Sequence, residues 1–365
     1  MNTDITKFIR PELKGFGAYS AAKAPEEVAG ESDISIDSFI KLDQNENPYG
    51  CSPKVNKALA DYRKYNIYPD ANQTVIRKQL AAYTGVAESC IVAGSGSNTL
   101  LDLIARMFIS PGDGVINCVP TFDIYRFSTQ ICGGKLIEVP RDADYGLDLP
   151  AIKAAIDRGT KLIFVANPNA PTGNLATDSE IKEILELDLP TVIDEAYYEF
   201  SGMTAVPLMK KYGNLMVIRT FSKWAGLAGL RVGYGLFPPV IADYLHKIKI
   251  PYNVNVAALV AVSESMKDLD YLMGNVNKII IERARLFAEL KKIRWLKVYP
   301  SSANYIFCLV LKGKAGDLQE KLQRRGILVR YFAKPRLDNC IRISVGKPED
   351  TDAIIKELNE IGKTI

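Results

Sequence analysis

The sequence predicts an α/β fold: a mostly parallel sheet between helices forming a large domain, plus a smaller α/β domain drawn from both chain ends. Three observations carry this expectation. Helix-like and strand-like hydrophobic patterns alternate along the chain, as they do when crossover helices join parallel strands. Three short apolar runs, 162–166, 191–193 and 215–218, each lead straight into polar residues. At 365 residues the chain is too long for one small core and fits a large domain with a smaller companion.

Taken in order, the first 49 residues look irregular and are assigned to the small domain. A strand at 90–93 runs into a glycine turn, Gly94-Ser-Gly96. The helix expected at 97–108 has apolar residues at 100, 101, 103, 104, 107 and 108, one helical face, with Ser97 or Asn98 as its N-cap. Thr177 and Glu180 have capping-box spacing and mark a further helix start. The large domain is expected to span 50–285. The tail, 286–365, has its own helices and strands, at 304–311 and 340–345.

Composition excludes several classes. Hydrophobic residues make up 47% and charged residues 24%, the balance of a globular protein. The net charge of +4 contains no basic block, so neither nucleic acid nor a membrane surface is an expected partner. No apolar stretch is long enough to span a membrane, and the charged first residues do not read as a secretory signal. Six widely spaced cysteines, without a C-x-x-C pair, read as reduced thiols of a cytoplasmic protein. The single histidine, His246, rules out a multi-histidine zinc site and leaves no support for a Ser-His-Asp site, since no G-x-S-x-G elbow is present. No metal is expected, and His246 reads as a surface or packing residue.

The residues that could carry chemistry lie at strand ends, where ligands bind in open parallel sheets. The turn at Gly94 opens a helix N-terminus, whose free N–H groups form either a phosphate cradle or a plain tight turn. Asp194, after an apolar strand, could be a metal ligand, a structural cap or the partner of a protonated heterocycle. Lys223 follows an apolar strand and precedes a glycine-rich segment. Burial there would lower its amine pKa and suit Schiff-base chemistry. Arg231 could bind a phosphate with its planar fork.

Eight pieces in order then resemble the fold-type I, aspartate-aminotransferase superfamily of pyridoxal-phosphate enzymes, and within it the histidinol-phosphate aminotransferases. They are Asp43-Gln-Asn-Glu-Asn-Pro48, Tyr68-Pro-Asp70, Gly94-Ser-Gly-Ser-Asn98, Pro120-Thr-Phe-Asp-Ile-Tyr125, Asn167-Pro-Asn-Ala-Pro-Thr-Gly173, Val192-Ile-Asp-Glu-Ala-Tyr197, Arg219-Thr-Phe-Ser-Lys223 with Gly229-Leu-Arg231, and Ile341-Arg-Ile-Ser-Val-Gly346. The resemblance implies pyridoxal 5'-phosphate held as a Schiff base on Lys223, with Asp194 on the pyridine nitrogen and Tyr197 on the phenolic oxygen. It implies Phe122 stacked on the ring and Ser97, Asn98, Ser222 and Arg231 on the phosphate. Tyr68 is expected to reach that phosphate from a neighbouring subunit, in a homodimer with shared sites. Where the family often has an asparagine contacting the phenolic oxygen, this chain has Ala170, and Asn169 is expected to take over.

For substrate, the resemblance assigns Arg342 to an α-carboxylate and Arg330 to a phosphate, with Tyr19 and Asn47 closing over the bound molecule. The implied reaction is transamination between histidinol phosphate and 2-oxoglutarate in histidine biosynthesis. Alternatives on the same scaffold are a phenylalanine or tyrosine aminotransferase, a threonine-phosphate decarboxylase and a non-catalytic cofactor-binding sensor. The last is usually fused behind a DNA-binding module, and the roughly 40 residues before Asp43 show no such pattern.

Overall fold

The computed structural model describes residues 4–17, 25–30 and 34–364. Its strands, in chain order, are β1 (Ile40–Leu42), β2 (Ile91–Gly94), β3 (Gly114–Val119), β4 (Lys135–Pro140), β5 (Thr160–Ala166) and β6 (Thr191–Asp194). They continue with β7 (Leu215–Thr220), β8 (Gly233–Leu236), β9 (Leu296–Tyr299), β10 (Tyr305–Val310), β11 (Ile327–Tyr331) and β12 (Cys340–Ser344).

Seven strands form the large sheet in the order β2-β8-β7-β6-β5-β3-β4. Pairings from β7 through β6, β5 and β3 to β4 are parallel, whereas β8 runs antiparallel to both of its neighbours. Along β5, Leu162 and Phe164 face one core cluster, while Ile163 and Val165 face the other. Both faces of the strand are therefore buried, which is why its sequence is continuously apolar rather than alternating. The helix Ser97–Phe108 covers one face through Leu100, Leu101, Leu103 and Ile104. The helix Asp178–Leu185 carries the expected Thr177–Glu180 capping box. No helix among the described residues is long and apolar enough to cross a membrane.

The second sheet, β1-β11-β12-β10-β9, unites the two chain ends: β1 pairs in parallel with β11, and the remaining pairings are antiparallel. The boundary expected at 285 falls inside one continuous helix, Leu269–Leu290. A second difference concerns the helix at 97. Its cap is Gly96 at φ +75°, without a side-chain capping bond, not Ser97 or Asn98. The glycine conformation starts the helix one residue early and leaves its first N–H groups without a side-chain partner.

Candidate active site

The parallel arrangement brings the carboxyl ends of β3, β5, β6 and β7 to one edge, together with the end of β2 and the start of β8. A cavity of about 970 Å³ opens there, roofed by the second sheet. Its size lies in the range of small-molecule sites.

Lys223 lies three residues beyond β7 and lines this cavity. Its Nζ donates to the Gln44 carbonyl at 2.9 Å. Burial, with the positive charges of Arg342 and Arg231, pulls its amine down from the ordinary lysine range to about 8. A lysine so placed offers a substantial neutral-amine fraction near physiological pH, which a solvated lysine does not.

Asp194 ends β6 and is only 5% exposed. Tyr125 donates its hydroxyl to Oδ2 at 2.8 Å, and the Ala196 N–H donates to Oδ1 at 3.1 Å. Burial outweighs both bonds and pushes the carboxyl up to about 6. A cationic partner in the cavity would reverse that shift, because an opposite charge favours the carboxylate. Neighbouring Glu195 points away, as expected of the next residue on an extended chain. It takes two hydrogen bonds from Arg219, at 2.9 and 2.8 Å, both groups being almost fully buried.

The anion cradle is built from backbone first. At Gly96 an added Cβ would stand 2.5 Å from Arg231 Nη2, and at Gly233 it would stand 2.5 Å from the Ser97 nitrogen. The two glycines thus let the helix N-terminus, β8 and the Arg231 guanidinium meet closely. Ser97, Asn98, Ser222 and Arg231 all line the cavity. Thr220 lines it too, donating to Ser222 Oγ at 3.0 Å. An uncapped helix start beside a guanidinium and hydroxyls suits a phosphate group.

At the roof, Arg330 and Arg342 are direct cross-strand partners on β11 and β12, and both line the cavity. Like charges placed opposite each other on adjacent strands repel, so the pairing favours an anionic ligand between or beside them. Arg342 donates to the Asp43 carbonyl at 2.7 Å, and its buried Nε has no hydrogen-bond partner among the described residues. Phe122 and Tyr197 complete the walls, Phe122 packing edge-on to Tyr125 at 5.7 Å.

Two expected site residues are turned elsewhere. Asn169 does not line the cavity. Its amide donates to the Pro120 carbonyl and Thr172 Oγ1 and accepts from Thr121 Oγ1, so the loop itself consumes its polar capacity. Ala170 forms the wall instead. Asn47 likewise donates to the Trp224 carbonyl at 2.8 Å and accepts from the Tyr49 N–H at 2.9 Å, clasping two segments rather than facing the cavity. Tyr68 is 78% exposed, far from being a wall of this cavity, and stacks on Tyr252 at 4.6 Å. Tyr19 lies outside the described residues. His246 Nε2 donates to the Ile91 carbonyl at 3.3 Å, as a packing residue would, and among the described residues no cluster of metal-binding side chains occurs.

Sequence reading missed Tyr125, Thr220 and Gln44. Tyr125 follows Phe122 by three residues, close to one helical turn, and a buried tyrosine needs a polar partner, which was the available signal. Gln44 acts through its carbonyl, which no side-chain motif can announce.

Fold and cavity together define an aminotransferase: the family model "Aminotransferase class I and II" matches residues 37–358, and the chain belongs to that family. A relative from Dehalococcoides mccartyi strain BAV1, a histidinol-phosphate aminotransferase, is 55% identical over 363 residues and covers 100% of both chains. The chloroplastic histidinol-phosphate aminotransferase of Nicotiana tabacum is 42% identical over 352 residues, 96% of this chain and 85% of that one. At these identities the chain falls in the histidinol-phosphate aminotransferase branch of the family. Among solved structures, the histidinol-phosphate aminotransferase of Sinorhizobium meliloti in complex with pyridoxal-5'-phosphate superposes with a TM-score of 0.88 at 26% identity, covering 97% of each chain.

Proposed function

We propose that the protein transfers an amino group between histidinol phosphate and 2-oxoglutarate with pyridoxal 5'-phosphate as cofactor, in histidine biosynthesis. The observation that carries this reading is the convergence, in one cavity, of a lysine amine at about 8, a buried carboxylate and a phosphate cradle, under a pair of facing arginines. The donor set fits the cofactor. Lys223 would hold it covalently, Asp194 would pair with its ring nitrogen, Tyr197 with its phenolic oxygen and Phe122 with its ring face. Ser97, Asn98, Ser222 and Arg231 would hold its phosphate, and Ala170 contributes no polar contact. When bound, the cofactor supplies an electron sink for the substrate's reacting carbon.

The protein's own groups account for the rest. Arg342 orients the α-carboxylate of glutamate, a group that histidinol phosphate lacks, and Arg330 binds the phosphate of histidinol phosphate or the side-chain carboxylate of glutamate. The Lys223 amine would take the proton from the amino donor's α-carbon and pass it to the cofactor, and in the second half-reaction deliver a proton to the acceptor's carbon, a task suited to a base titrating near the working pH. Asp194 stays charged by pairing with a cation. The exposed Tyr68–Tyr252 surface would face a second copy, with Tyr68 reaching that copy's phosphate cradle and making a homodimer with shared sites. Reduced cysteines agree with a cytoplasmic setting.

The test is a set of parallel transamination assays with 2-oxoglutarate and histidinol phosphate, phenylalanine, tyrosine or aspartate, with Lys223→Ala as control. A kcat/KM for histidinol phosphate well above the others supports the reading. Preference for phenylalanine or tyrosine overturns the substrate, and turnover in the lysine variant overturns the mechanism.

A further inference from the structure

Asn45 sits where both sheets meet and has no role so far. Its backbone adopts φ +56°, a left-handed conformation that asparagine, aspartate and glycine tolerate better than other residues. It is 1% exposed and makes four hydrogen bonds. Its N–H donates to Ser344 Oγ at 2.9 Å, and Ser344 donates its own proton to Asn45 Oδ1 at 3.0 Å. Asn304 Nδ2 donates to the Asn45 carbonyl at 2.9 Å. Its remaining amide nitrogen donates to the Tyr197 hydroxyl oxygen at 2.9 Å. Two bonds therefore involve Ser344, which lies on β12 two residues from Arg342, a third involves Asn304 just ahead of β10, and the fourth reaches Tyr197 in the large domain.

The chain of donors has a direction. The Ser344 oxygen receives the backbone N–H, and its proton goes to Oδ1, so Nδ2 is the end that faces Tyr197. An amide N–H only donates. The Tyr197 oxygen accepts there, and its own proton is directed away from Asn45.

We propose that Asn45 is a positioning residue that holds the Tyr197 hydroxyl as a donor toward the cofactor's phenolic oxygen and ties that orientation to the strand carrying Arg342. This rests on the function proposed above. The contact neither binds substrate nor touches the cofactor; it decides which way one proton points.

The experiment is a pH titration of the visible absorption band of the cofactor-loaded protein, for the wild type, Asn45→Gly, Tyr197→Phe and the double variant. Glycine keeps the backbone conformation while deleting the amide. A lost hydrogen bond to the phenolic oxygen raises the pH at which the band titrates, by about one pH unit for a neutral donor. The expected result is a rise in Asn45→Gly, a comparable rise in Tyr197→Phe, and no further rise in the double variant. Asn45→Asp, also at ease in this conformation, offers an acceptor where the amide donated and should raise the midpoint at least as far; it serves if the glycine variant does not fold. Wild-type titration of the Asn45 variants alongside a shifted Tyr197→Phe overturns the proposal, as do shifts that simply add. A different outcome, in which Lys223→Ala keeps the band or the wild type shows none, overturns the cofactor reading on which the proposal stands.

Discussion

The anion cradle stands or falls on Gly96, and Gly96→Ala is the perturbation that probes it. The new methyl would lie 2.5 Å from Arg231 Nη2, well inside contact distance, so the guanidinium must move by about an ångström. The backbone adds to this: φ +75° with ψ 162° is a region that only glycine occupies readily, at a cost of about 1–3 kcal/mol for other residues. Displacing Arg231 removes a charge-assisted hydrogen bond of about 1.5–3 kcal/mol from the bound phosphate. The dissociation constant for pyridoxal phosphate should therefore rise roughly 10- to 150-fold at one decade per 1.36 kcal/mol. The assay is titration of cofactor-free protein with pyridoxal phosphate, followed by visible absorbance. Gly112→Ala is the control, with a similar positive φ of +93° but open space around its methyl and no place in the cavity wall. A Gly96→Ala dissociation constant within about twofold of that of the control variant would refute the cradle.

Three further outcomes follow from the same geometry. Lys223, at about 8 rather than the ordinary 10.5, has a free-amine fraction at pH 7 roughly 300-fold above that of a solvated lysine. Cofactor capture by the empty protein should accordingly rise with pH through about 8 and level off, and a profile still climbing at pH 10 would contradict the burial argument. Glu199 is 6% exposed, has one oxygen without a partner among the described residues, and is pushed up to about 8 from 4.5, chiefly by burial. A folded-state value raised above the unfolded one gives stability that is present below pH 4.5 and lost as pH rises through about 8. Glu199→Gln should thus be more stable than the wild type by about 1–3 kcal/mol at pH 9, with no such gain at pH 4, as read by thermal unfolding. Arg330→Gln should raise KM for histidinol phosphate about 10- to 100-fold while moving that for phenylalanine about threefold or less; equal changes would remove Arg330 from the phosphate role.

Much of the fold was legible because its signals are local. The runs at 162–166, 191–193 and 215–218 became β5, β6 and β7, each one or two residues longer than the apolar core that announced it. The helix at 97–108 matched because one face of it is continuously apolar. Lys223, Asp194, Tyr197, Phe122 and Arg231 were legible because motif spacing places them just past strand ends, and all five line one cavity. Asn169 and Asn47 are turned from the cavity for a shared reason. A motif names a residue type but not the direction of its side chain, and in both cases nearby loop groups compete for the amide and win.

By itself, the sequence determined the alternation of helices and strands, the carboxyl edge on which the cavity lies, and the lysine, carboxylate and arginines that line it. These follow from hydrophobic periodicity and from the chain's own order. Only the tertiary structure decided that Arg330 faces Arg342 across two strands, that Tyr125 holds Asp194, and that Asn45 joins Ser344 to Tyr197 across 299 and 152 positions of sequence. Hydrogen bonds depend on distance and angle between atoms, and segments far apart in the chain acquire both only when the two sheets pack.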